Sequence, residues 1–220
     1  MTLRDYYDDK MDSIRSEVIR MGNLAMQMTQ LATESVLSGN PEIAHKVIQA
    51  DDEVDTLEHE TIINTCVLMM QESPVASHLR ALTSTLGVIG EFEKVADDAV
   101  KLAKRSSKLQ GQFPGEMRLA LVDMDKAARH IFASALKLYV DYSPALAEEI
   151  VQEDESIDKA YVVARNRVFE LIKQDPQQTE HLVRTIEVFH ALEHVADRSV
   201  VIAKRLKMHY ESLEATSRAS

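Results

Sequence analysis

Glu93-Lys-Val-Ala-Asp-Asp-Ala-Val-Lys-Leu-Ala-Lys-Arg105 returns one hundred positions later as Glu193-His-Val-Ala-Asp-Arg-Ser-Val-Val-Ile-Ala-Lys-Arg205, with eight of thirteen positions identical. The chain is an internal duplication. What repeats is a pair of acids four residues apart, Glu93 with Asp97 and Glu193 with Asp197. A second such pair lies upstream in each half, Asp51 with Asp55 and Asp154 with Asp158. Pro41, Ala44, Asp51, Val54 and Asp55 match Pro144, Ala147, Asp154, Ile157 and Asp158 at an offset of 103 residues. Each half is about 105 residues long, enough to bury a core of its own. The seam falls in Ser106-Ser-Lys-Leu-Gln-Gly-Gln-Phe-Pro-Gly115, where Ser, Gly and Pro interrupt the helical pattern, and the expected domains are residues 1–110 and 111–220.

The fold class follows from spacing. Only 6 Gly and 5 Pro occur in 220 residues, apolar residues recur every three or four positions, and no segment alternates as a half-buried strand does. The chain is expected to be all-α. Gly39-Asn-Pro41, Ser73-Pro74, the 106–115 seam, Ser143-Pro144 and Asp175-Pro176 are the breaks, with Pro suited to the first turn of the helix that follows. They leave three long segments per half, which predicts two tandem antiparallel three-helix bundles.

Bulk composition excludes several classes. The net charge of −11 argues against a nucleic-acid backbone as partner, because that requires a basic footprint. Cys66 is the single cysteine, so no disulfide forms within one chain, which suits a reducing compartment. Its setting, Ile62-Ile-Asn-Thr-Cys-Val-Leu-Met-Met70, reads as core. Among the 10 Met residues, Met21, Met26 and Met28 cluster on the first helix, as core filler or as an adaptable partner surface. The opening residues lack the apolar core of a signal peptide. The longest stretch without a charged residue, Met21 to Thr33, has 13 residues, too few to span a membrane.

Acids at i, i+4 on a helix commonly belong to a solvated face. Here they continue apolar stripes: Leu82, Leu86 and Ile89 lead to Glu93, Asp97 and then Val100, and Leu182, Ile186 and Phe189 lead to Glu193, Asp197 and then Val200. Ala44 and Ile48 lead likewise to Asp51 and Asp55, and Ala147 and Val151 to Asp154 and Asp158. Carboxylates facing a core are costly unless neutralised, paired or metal-bound, and like charges at this spacing oppose the helix. With the second and third helices of each bundle side by side, Asp51, Asp55, Glu93 and Asp97 form one cluster and Asp154, Asp158, Glu193 and Asp197 the other. Such all-oxygen clusters suit Mg²⁺, Mn²⁺, Ca²⁺ or iron; zinc more often recruits His or Cys. The solvated alternative is pairing with Lys or Arg, as the Asp97–Lys101 spacing allows. His190, three residues before Glu193, is a further candidate ligand or supporting donor, although its counterpart is Gly90.

These residues resemble the PhoU family of phosphate-transport regulators over essentially the full length. The resemblance rests on the four (Glu/Asp)-x-x-x-Asp pairs, Ile14-Arg-Ser-Glu-Val-Ile-Arg-Met-Gly22, the Asp52-Glu-Val-Asp-Thr-Leu-Glu58 run and Pro74-Val-Ala-Ser-His-Leu-Arg80. Where the family commonly reads Leu-Glu-Arg-Ile-Gly-Asp-His, this chain has Phe92-Glu-Lys-Val-Ala-Asp-Asp98 and Leu192-Glu-His-Val-Ala-Asp-Arg198. Ala96 and Ala196 suit a helix, but Lys94 and His194 cannot make the bidentate contacts of an Arg.

The resemblance implies two three-helix bundles, each carrying two acidic motifs as metal ligands (Mn, Mg, Fe or Zn). It implies a non-enzymatic, cytoplasmic, homodimeric negative regulator of phosphate uptake that acts on transcription indirectly. Its implied partners are the ATPase subunit of a phosphate ABC transporter and a phosphate sensor histidine kinase. A related possibility is a regulator of a low-affinity phosphate permease. An enzymatic alternative, a carboxylate-bridged di-iron centre, has two Glu-x-x-His matches, Glu42-Ile-Ala-His45 and Glu187-Val-Phe-His190, but these do not correspond under the repeat.

Overall fold

Apolar residues at helical spacing, with Pro confined to the breaks, bury most readily as packed helices. A computed structural model describes residues 3–72 and 76–219. Six α-helices follow in order: α1 (Leu3–Ser38), α2 (Pro41–Glu72), α3 (Ala76–Leu109), α4 (Arg118–Val140), α5 (Pro144–Gln174) and α6 (Thr179–Ala219). Short 3₁₀ turns at Gly115–Met117 and Pro176–Gln178 lead into α4 and α6. The first three helices pack mutually, as do the last three, and α3 against α6 and α1 against α4 join the two bundles.

The turns form where the sequence places its stop signals. Pro41 and Pro144 open α2 and α5, positions where no backbone N–H is needed. Asn40 Oδ1 accepts the N–H of Glu42 at 2.9 Å, and Ser143 Oγ accepts that of Leu146 at 3.4 Å, satisfying donors left free at a helix start. The expected break at Ser73-Pro74 lies outside the described residues. Helix lengths are less even than the sequence suggests: α4 has 23 residues and α6 has 41. Helix α3 runs on through Leu109, so the first part of the expected seam is helical. The remaining link begins at Gln110 and Gly111, with φ of 50° and 77°. It is held against the first hairpin: a Cβ at Gly39 would lie 2.6 Å from the Gly111 Cα, and Arg118 donates to the Leu37 carbonyl.

The core is aliphatic and aromatic. Phe92 of α3 meets Phe132 of α4 edge to face at 5.2 Å between centroids, a contact that crosses from one bundle to the other. Met21 and Met28 are fully buried, so they act as core filler. Cys66 departs from its expected place: it is exposed, while Thr61, Thr65 and Leu68 take the inward positions around it.

Polar contacts set the α3–α6 crossing. Arg105 Nε lies 2.9 Å from Glu187, His194 Nδ1 lies 3.6 Å from Asp98, and Arg198 Nη1 lies 3.5 Å from Glu91. The Arg205 guanidinium occupies the space a side chain at Gly87 would fill. Later residues of one helix meet earlier residues of the other, so the helices are antiparallel, and the midpoint of these contacts falls at Ala96 and Ala196, both fully buried.

Candidate metal centres

The eight acids sit on the rim of the core rather than within it. Asp51, Glu93, Asp97, Asp154 and Glu193 are half-buried, and Asp55, Asp158 and Asp197 are exposed. Among the described residues the buried acids are others: Glu91, Asp98 and Asp125. Asp125 is held by Arg129 at 2.7 Å. Lys101 bonds Asp98 at 2.9 Å and stands 3.7 Å from Asp97, so the cation expected beside Asp97 serves mainly its buried neighbour.

In the second bundle α5 supplies Asp154 and Asp158, and α6 supplies Glu193 and Asp197. Carboxylate oxygens of Asp154, Asp158 and Asp197 all lie within 4.8 Å of one another. Burial, then repulsion from Asp158 and Asp197, pushes the Asp154 carboxyl up to about 6. Burial, then Asp197, Asp158 and Asp154, pushes Glu193 up to about 7. Asp154 Oδ1 and Glu193 Oε2 are buried without a hydrogen-bond partner. These oxygens could hold a cation, which would supply the missing charge and the missing partners together.

The first bundle repeats the arrangement more loosely. Asp51 is raised by burial and then by Asp55 and Asp97, and Glu93 by burial and then by Asp97, Glu58 and Asp55. All four expected acids therefore share one electrostatic neighbourhood, though both three-donor groupings found among the described residues fall in the second bundle. Glu58 belongs to this first set as well, beyond the four acids expected from the sequence. Its signal was its place three residues after Asp55 and seven after Asp51, on the same helical face.

The second three-donor grouping is His190, Glu193 and His194. His190 is lowered, first by burial and then by His194 and Arg105. The di-iron motifs do not assemble: Glu187 is taken by Arg105 at 2.9 Å, and Glu42 and His45 are exposed at the start of α2. A cavity of about 490 Å³ between α4 and α5 is lined by Ala120, Met124, Ala160, Ala164 and Phe189 and touches none of the eight acids. Among the described residues no helix is long and apolar enough to cross a membrane.

A duplicated pair of three-helix bundles, each carrying an acidic rim where its second and third helices meet, defines a tandem helical-bundle protein. The PhoU domain model matches residues 18–106 and again 121–206. The chain belongs to the PhoU family. Membership places it among accessory, regulatory proteins of phosphate transport, not among enzymes. It is 24% identical to a phosphate-specific transport system accessory protein PhoU homolog of Clostridium acetobutylicum, over 91% of this chain and 92% of that one. A Pseudomonas aeruginosa homolog of the same description is 23% identical over 90% and 82% of the two chains. The fold matches the crystal structure of PhoU from Pseudomonas aeruginosa with a TM-score of 0.88 at 20% identity, covering 94% of this chain and 99% of that one. It also matches the phosphate transport system regulatory protein PhoU from Streptococcus pneumoniae with a TM-score of 0.84 at 21% identity, covering 93% and 96%.

Proposed function

We propose that this chain is a cytoplasmic, homodimeric, metal-loaded adaptor that restrains phosphate uptake and phosphate-starvation signalling when phosphate is plentiful. It links the ATPase subunit of a phosphate ABC transporter to a membrane sensor histidine kinase. The observation that carries this reading is the family match across both halves of the chain. The acidic rims support its metal-binding part, because half-buried, mutually repelling carboxylates with unpartnered oxygens fit a hard divalent cation. Asp51, Asp55, Glu93 and Asp97 would hold it in the first bundle, and Asp154, Asp158, Glu193 and Asp197 in the second. The cation supplies positive charge there, which ties α2 to α3 and α5 to α6 and leaves a stiff helical surface for partners.

Deleting the gene should leave phosphate-starvation genes switched on in phosphate-rich medium, and restoring the wild-type protein should silence them. Glu93→Ala combined with Asp97→Ala, shown helical by circular dichroism, should restore silencing poorly. Normal repression in a deletion strain with no second copy would overturn the assignment and favour service to a low-affinity permease. Full silencing by the double variant would confine the acids to a structural role.

A further inference from the structure

The duplication is uneven at one place. Where the first bundle has Glu58, Gly90 and Lys94, the second has Tyr161, His190 and His194. An acid, a position without a side chain and a cation give way to an aromatic ring and two imidazoles. His190 and His194 lie four residues apart on α6, so they share a face, and their ring centroids are 4.0 Å apart. Glu193 stands between them in the order His-x-x-Glu-His, a spacing that brings two nitrogen donors and a carboxylate to one side of a helix.

The donor atoms converge. His190 Nε2 lies 3.7 Å and His194 Nε2 4.0 Å from the same oxygen, Glu193 Oε2. That oxygen is buried and has no hydrogen-bond partner, so the imidazoles surround it without bonding it. Bonds of about 2.0–2.1 Å to a tetrahedral zinc ion put ligand atoms roughly 3.3 Å apart, so a small contraction seats an ion among the three. The other nitrogen of His194, Nδ1, faces Asp98 Oδ2 at 3.6 Å, and that carboxylate is 3% exposed with Oδ2 unpartnered. A buried carboxylate behind a ligating histidine fixes its tautomer and orientation. The Tyr161 ring flanks His190, with centroids 5.5 Å apart. An ordinary ion-paired histidine cluster would place Glu193 Oε2 within hydrogen-bond distance of a ring nitrogen.

We propose that His190, Glu193 and His194 form a zinc-type transition-metal site on α6, separate from the all-oxygen cluster and sharing only Glu193 with it, with Asp98 of α3 positioning His194. Three protein donors leave one tetrahedral position for water or an anionic oxygen. The first bundle has no nitrogen donors at the matching positions, so the two halves select different ions: hard cations alone in the first, and a borderline-soft ion as well in the second. The site does not depend on the acidic pairs binding metal.

The test uses full-length, chelator-treated protein with Zn²⁺ and Co²⁺ as probes. Cobalt should give the intense visible bands of a four-coordinate site, and Zn²⁺ should displace it. His190→Ala and His194→Ala should abolish the bands and weaken Zn²⁺ binding by about tenfold or more, and Asp98→Asn should weaken it by about tenfold. Asp154→Asn combined with Asp158→Asn should keep both bands and affinity. Mn²⁺ uptake on the same proteins reports the acidic pairs independently. His190 is exposed, so His190→Ala should fold even where His194→Ala does not. Unchanged Zn²⁺ affinity in His190→Ala, absence of cobalt bands in the wild type, or their loss only in the Asp154/Asp158 variant would each overturn the proposal.

Discussion

At Glu193 a carboxyl raised to about 7, and at Asp154 one raised to about 6, make the metal-free protein sensitive to pH. Both folded values lie above the ordinary carboxylate range of about 4, so the folded state holds protons that the unfolded chain releases. The stability this confers is complete below about pH 4 and is lost as pH rises through 6 and 7. His190 and His209 are lowered and oppose the trend only below the ordinary histidine value. The thermal midpoint of chelator-treated protein should therefore rise as pH falls from 8 to about 6.5, and Glu193→Gln should flatten that slope. A flat wild-type profile would contradict the strain assigned to Glu193.

Single residues were unevenly legible in the sequence. The acid pairs could be read because duplication repeats them against an apolar stripe. Cys66 reads as core and is exposed, because Ile62 to Met70 is apolar on nearly every side and carries no periodicity to mark its inner face. The buried acids Glu91 and Asp98 were equally hidden, since their burial comes from α6 and not from their own helix.

Among the elements, α1 and α3 pack closely because Gly22 gives room to Phe92. A Cβ at Gly22 would stand 2.8 Å from the Phe92 ring, which is itself fully buried. Gly22→Ala should destabilise by about 1–3 kcal/mol despite the better helix propensity of Ala, read from urea denaturation. A stabilised variant would show that the ring moves aside freely. The number and type of elements were readable from spacing and stop signals. Their lengths were not, because Ser106 to Leu109 keeps helical geometry while the composition there reads as a loop.

For the molecule as a whole, the joint between bundles rests on buried carboxylates with partners on the facing helix. Glu91 is 7% exposed and lies between Lys94 of its own helix at 2.9 Å and Arg198 of α6 at 3.5 Å. Arg198→Ala should cost about 1–3 kcal/mol by leaving Glu91 Oε2 less compensated, and a double-mutant cycle with Glu91→Gln should recover part of it. Additive losses would mean that the two residues do not interact. This joint was not legible as a set of pairs, because its partners lie 82 to 107 residues apart and the repeat is broken at most of them.

The crossing at Ala96 and Ala196 has a mechanical consequence. Glu93 and Asp97 lie within one turn of Ala96, and Glu193 and Asp197 within one turn of Ala196, so each acidic rim is carried on a helix that also forms the joint. On helix α3, Glu93 is turned toward α2 and Asp98 toward His194 of α6. A twist of α3 that moved Glu93 relative to α2 would also move the Asp98 carboxyl relative to the imidazole across the joint. The acidic rim of the first bundle and the joint to the second are thus carried on one lever, so neither can shift without the other.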